Sequence, residues 1–103
     1  MIEIGRFRET HNTDELPSIF DTIQKDAPKY KDRILRYLKN GYPAAIAPGH
    51  LIDKIDGKTT ISTLAYYDDS VYRWRSDVIY YFQKYNIKLP DDFIEHVLRN
   101  NRY

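Results

Sequence analysis

Cysteine does not occur in this chain of 103 residues. That removes disulfides, thiolate metal ligands and a cysteine nucleophile together, so the fold has to be held by packing. Long apolar runs are missing too. The longest, Ala44 to Ala47, sits between Pro43 and Pro48 and is far short of the roughly 20 residues a membrane-spanning helix needs. The opening Met1-Ile2-Glu3-Ile4-Gly5-Arg6 has no basic stretch followed by an apolar run, so no secretory signal is expected and the cytoplasm is the expected location. Glycine is scarce, with four in all, and none forms a glycine-rich loop that would cradle phosphates. Excess charge is absent as well. Eight basic and seven acidic residues precede Asp53, and eight of each follow from there, for a net charge of +1. A nucleic-acid binder normally carries a lopsided basic face.

What the chain does have is aromatic surface: ten tyrosines within an aromatic content of 15%. Tyrosine joins a large apolar ring to one hydrogen-bonding end, which suits both the rim of a small core and an interface. With 42% hydrophobic and 30% charged residues, the composition is that of one ordinary globular domain over residues 1–103.

The pattern along the chain predicts an α+β fold, with a three- or four-stranded antiparallel sheet packed against N-terminal and C-terminal helices. Ile2 to Ile4 reads as a short strand, followed by a polar connector through Thr13. Ser18 can cap a short helix with Ile19, Phe20 and Ile23 on one side. Pro28 suits the first turn of a second helix running to Asn40, whose stripe is Tyr30, Ile34, Tyr37 and Leu38 and whose stop is Gly41. Strands are expected at Tyr42 to Ala47, Leu51 to Ile55, Thr59 to Tyr67 and Val71 to Trp74, with turns at Asp56-Gly57 and Asp68-Asp69-Ser70. Alternation divides Ala65 and Tyr67 from Tyr66, and Tyr72 and Trp74 from Arg73. Ser76 reads as the cap of a third helix, with Val78, Ile79, Phe82 and Tyr85 on one stripe and Tyr81 at its edge, and Asn86 as its left-handed stop. A last helix follows Pro90, with Phe93, Ile94, Val97 and Leu98 inward.

Few of these residues read as chemistry. His11, His50 and His96 lack the close spacing of a zinc site, and no metal or other cofactor is expected. Asp53 and Asp56-Gly57 have the wrong spacing for a calcium loop and fit turn formation instead. The neighbours Asp68-Asp69 and Asp91-Asp92 fit a turn and a helix start better than an acid–base pair. Tyr72-Arg73-Trp74-Arg75 interleaves rings and guanidiniums. Its aromatic face could anchor a partner or stack on bases, or Trp74 could centre the core while the arginines are solvated.

From Gly57 to Val97 the landmarks are Asp69, Tyr72-x-Trp74-Arg75-Ser76-Asp77, Tyr80-Tyr81, Tyr85-Asn86 and Leu89-Pro90-x-x-Phe93-x-x-His96. This run resembles a group of small bacterial proteins, some of which belong to toxin–immunity loci, including those of contact-dependent growth inhibition. One departure is Asp68-Asp69-Ser70, where the resemblance leads one to expect an Asp-Gly turn. The resemblance implies an immunity protein that binds and neutralises a cognate toxin domain, without catalysis of its own. Against a basic toxin, the contact candidates are Asp53, Asp56, Asp68 and Asp69, with Tyr72, Arg73 and Arg75 as anchors. Exposed tyrosines could also support a weak homodimer, and no membrane partner is expected. Two alternatives remain. A small-ligand enzyme using a tuned histidine predicts a concave pocket in which that histidine meets a carboxylate. A nucleic-acid-binding module would be built on Arg73, Arg75 and Tyr72.

Overall fold

A computed structural model describes residues 1–100. Its elements are β1 (Ile2–Glu3), α1 (Arg8–His11), a 3₁₀ turn (Ile19–Thr22), α2 (Lys31–Lys39), β2 (Tyr42–Ile46), β3 (Ala65–Asp68), β4 (Tyr72–Arg75), α3 (Ser76–Tyr85) and α4 (Asp91–Arg99). The α+β class stands, and the four strands lie in the order β1-β4-β3-β2. The sheet is mixed rather than wholly antiparallel, because β1 joins β4 in parallel, pairing Ile2 with Tyr72 and Glu3 with Arg73. β2 forms the other edge. Pro43, which lacks an N–H, and a register irregularity between Pro43 and Ala45 blunt that edge against further pairing.

Strand alternation sets the two faces of the sheet. Trp74, Tyr67 and Pro43 align in one row, and Trp74 has no exposed surface. It is the centre of the core, with its indole N–H donating to the Leu38 carbonyl at 3.0 Å and its ring packed on Tyr37 and Phe93. Around it are buried Ile34, Tyr37 and Leu38 of α2, Val78, Tyr81 and Phe82 of α3, and Phe93 and Val97 of α4. These are the stripes expected from helical spacing. Gly41 is required by this packing, since a Cβ there would lie 2.6 Å from the Trp74 ring.

Several local expectations are corrected. The strand expected at Leu51 to Ile55 and most of that at Thr59 to Tyr67 form a hairpin arm outside the sheet, with a single bridge between Ile52 and Thr60. Asp53 and Asp56 shape the tip of that arm, where their carboxylates cap the amides of Ile55, Asp56, Lys58 and Thr59, while backbone bonds from Leu51 to Ser62 and from Ile61 to Leu51 join its two legs. Tyr30 is not on the α2 stripe but precedes the helix in the left-handed region at φ +63, and it is exposed. Phe20 and Ile23 are exposed because the segment makes only one 3₁₀ turn, which buries Ile19. Ser76 is the first helical residue rather than a cap. Its hydroxyl instead accepts from the Ala65 amide and donates to the Thr63 carbonyl, tying the arm to α3. Ser18 does cap its turn, and Asn86 is left-handed at φ 53.

Candidate functional site

Three polar networks and one solvent-facing strip account for the residues singled out from the sequence. The first centres on Asp69, in the turn between β3 and β4. One carboxylate oxygen accepts from the amides of Val71 and Tyr72, at 2.9 and 2.6 Å. The other accepts from Tyr37 of α2 at 2.5 Å and meets His96 Nε2 of α4 at 2.8 Å. Burial alone would raise the Asp69 carboxyl; the hydrogen bonds from Tyr37, the two amides and His96 outweigh it and hold the group below the usual carboxylate range. His96 lines a cleft of about 440 Å³ with Tyr72, Asp92, Glu95, Arg99 and Asn100. A histidine therefore does meet a carboxylate in a concavity, the geometry that the small-ligand alternative requires.

The second network surrounds Asp53, which has no exposed surface. Its Oδ1 takes the Ile55 and Asp56 amides, and its Oδ2 takes the hydroxyls of Tyr80 and Tyr85, both at 2.7 Å. Lys84 Nζ lies 3.7 Å from Asp53 and from Asp56, and the Tyr81 hydroxyl accepts the Lys54 amide at 2.8 Å. The paired tyrosines of α3 thus clamp the hairpin arm. Burial pushes the Tyr81 hydroxyl up to about 12, while burial and the Asp53 carboxylate push Tyr85 up to about 12. Burial would raise Asp53 itself, and its hydrogen bonds from Tyr85, Tyr80 and the two amides bring it below the ordinary value.

The third is a bidentate ion pair. Arg75 Nε and Nη2 donate to Asp77 at 3.2 and 3.0 Å, and Nη1 donates to the Thr10 carbonyl at 3.0 Å. Both side chains are buried. Burial raises the Asp77 carboxyl despite the opposing Arg75 charge.

These networks correct the contact assignments. Asp53, Asp69 and Arg75 present almost no surface: the two carboxylates accept from the amides of their own turns and from helix side chains, and Arg75 pairs with Asp77 and donates to the Thr10 carbonyl. Asp56 is partly exposed, and its carboxyl is held low chiefly by the Thr59 hydroxyl. Tyr72 packs its edge against Phe93 and His96 at the mouth of the cleft. Asp68 and Arg73 are different. They pair with each other, with Tyr42 on β2 and with Glu3 on β1, in one row on the sheet face opposite Trp74. Tyr66 shares that face, and the Arg73 guanidinium stacks over its ring at 5.0 Å while bonding Glu3 at 3.1 Å. α1 lies over the β1 side of this face, through His11 on Glu3 and Thr10 on Arg75. That leaves a strip of Tyr42, Tyr66, Asp68 and Arg73 at the surface, with Tyr42 57% exposed. Sequence reasoning missed Tyr42 and Tyr66 as contact candidates, although alternation already set Tyr66 opposite the core-facing Tyr67. Among the described residues no group of three His, Asp or Glu side chains is placed to hold a metal, and no helix is long and apolar enough to cross a membrane.

No protein-family model, curated protein or solved structure matches this chain.

Proposed function

We propose that this chain is an immunity protein that neutralises a cognate bacterial toxin domain by tight stoichiometric binding. The observation that carries the reading is the strip of Tyr42, Tyr66, Asp68 and Arg73. It unites the residue types that dominate protein–protein anchors, tyrosine and arginine, on a rigid sheet surface. Arg73 is pre-set by Glu3 and Tyr66, so little rotamer freedom is lost on docking. The buried networks support the same reading, because Asp53 and Arg75 are committed to holding the arm and α1 in place. The resemblance of the Gly57-to-Val97 run to proteins of toxin–immunity loci points the same way. The test is co-purification with the toxin domain encoded beside this chain, followed by a titration. The expected result is one-to-one saturation and rescue of growth in toxin-expressing cells; no binding to that product rejects the reading.

The cleft at His96 favours a second reading, a small-ligand enzyme in which His96, oriented by Asp69, moves a proton. Weighing against it, Asp69 is already engaged by two amides and the Tyr37 hydroxyl, so its first role is to bracket the β3–β4 turn against α2 and α4. Turnover of a small polar substrate that disappears in His96→Gln would establish this second reading.

A further inference from the structure

We infer that the cleft beside the β3–β4 turn receives a basic side chain, a guanidinium or ammonium group, from the bound partner. The inference rests on the immunity reading and extends it from the strip to an adjoining socket: the turn that carries Asp68 onto the strip continues directly into Tyr72 at the cleft mouth.

The chemistry of the walls decides the occupant. His96 donates its Nε2–H to the ionised Asp69, a carboxylate that is itself buried. A buried carboxylate that orients a partly exposed imidazole is the arrangement by which proteins fix a contact group in advance. Asp92 and Glu95 add two carboxylates from the same helix, and Tyr72 adds an aromatic ring beside His96, with centroids 4.9 Å apart. Two carboxylates and an aromatic ring in one cleft suit a cation that donates several hydrogen bonds and stacks. Arg99 bonds Glu95 at 3.3 Å, but both side chains are mostly exposed, so that pair is weak and exchangeable. A volume of about 440 Å³ accommodates one long side chain and leaves room for bridging water. The carboxylates make the cleft a poor host for an anion.

The test uses N-acetyl-arginine methylamide, whose only charge is the guanidinium, titrated into the full chain and followed by NMR at His96 and Tyr72. N-acetyl-glutamate methylamide is the control. The expected result is saturable shifts at both residues with the arginine probe and none with the glutamate probe, lost in Asp92→Asn/Glu95→Gln. Both positions are exposed, so the fold is kept. No shift, or shifts unchanged in the double variant, overturns the inference. Toxin capture separates the two levels. A toxin that binds wild type and the double variant equally overturns the socket and leaves the immunity reading standing. A toxin bound about tenfold more weakly by the variant supports both. A cleft that takes the arginine probe in a chain that captures no toxin overturns the immunity reading on which the inference rests.

Discussion

Replacing Asp53 with alanine tests whether the arm is held by one buried carboxylate. The substitution leaves the amides of Ile55 and Asp56 without their acceptor, at about 1–3 kcal/mol each when buried. The hydroxyls of Tyr80 and Tyr85 belong to half-buried side chains and turn to water at little cost. The expected loss is therefore roughly 3–4 kcal/mol, a large fraction of the roughly 5–15 kcal/mol typical of a whole domain. Asp53→Asn keeps an acceptor for the amides and forfeits mainly the charge, for about 1–2 kcal/mol. The pH dependence separates the two contributions. The native Asp53 carboxyl lies below its ordinary value, so its stabilisation is present above the unfolded carboxylate range and is lost as pH falls through the native value. Wild type should lose stability more steeply than Asp53→Asn in acid. Trp74 is the only tryptophan and is buried, so urea unfolding followed by its fluorescence reports the change directly. An Asp53→Ala protein within about 0.5 kcal/mol of wild type would refute the reasoning, since that is the range of ordinary surface substitutions.

Three further outcomes are expected. Gly41→Ala should destabilise by about 1–3 kcal/mol in the same unfolding assay, because its Cβ would lie 2.6 Å from the Trp74 ring. Ser70→Gly should stabilise by about 0.5 kcal/mol: Ser70 sits at φ +79, where a side chain is strained and glycine is not, and the relief slightly exceeds the entropy that glycine adds to the unfolded chain. In alkaline titration followed by phenolate absorbance, Tyr81 should ionise only near pH 12, well above the ordinary tyrosine value near 10. The stabilisation from Tyr81 is full below the unfolded value near 10 and is lost as pH rises through the raised native value.

Periodicity made the helices legible. Ile34, Leu38, Val78, Phe82, Phe93 and Val97 were marked as core by spacing, and the structure buries them all. The strand alternation that set Trp74 and Arg73 on opposite faces also held. Two kinds of feature were out of reach. The parallel pairing of β1 with β4 joins Glu3 to Arg73 across 70 residues of sequence, and no local pattern encodes such a contact. The other is the direction of polar side chains. Asp53 reads as turn chemistry from its neighbours, and it is; nothing local says that Tyr80 and Tyr85 will close over it. Arg75 reads like Arg73, yet α1 covers one and leaves the other at the surface, because Asp77 follows two residues later and draws Arg75 inward. The candidate strip was half legible for the same reason. Asp68 and Arg73 were marked, while Tyr42 and Tyr66 join them only through strand register.

Hydrogen exchange on the protein with and without one equivalent of the toxin domain proposed as its partner tests the central claim most directly. Slowed exchange confined to Tyr42–Ile46, Tyr66–Asp68 and Tyr72–Arg73 is the predicted footprint. Unchanged exchange across those segments, or protection only on the opposite side of the molecule around α3, would contradict it.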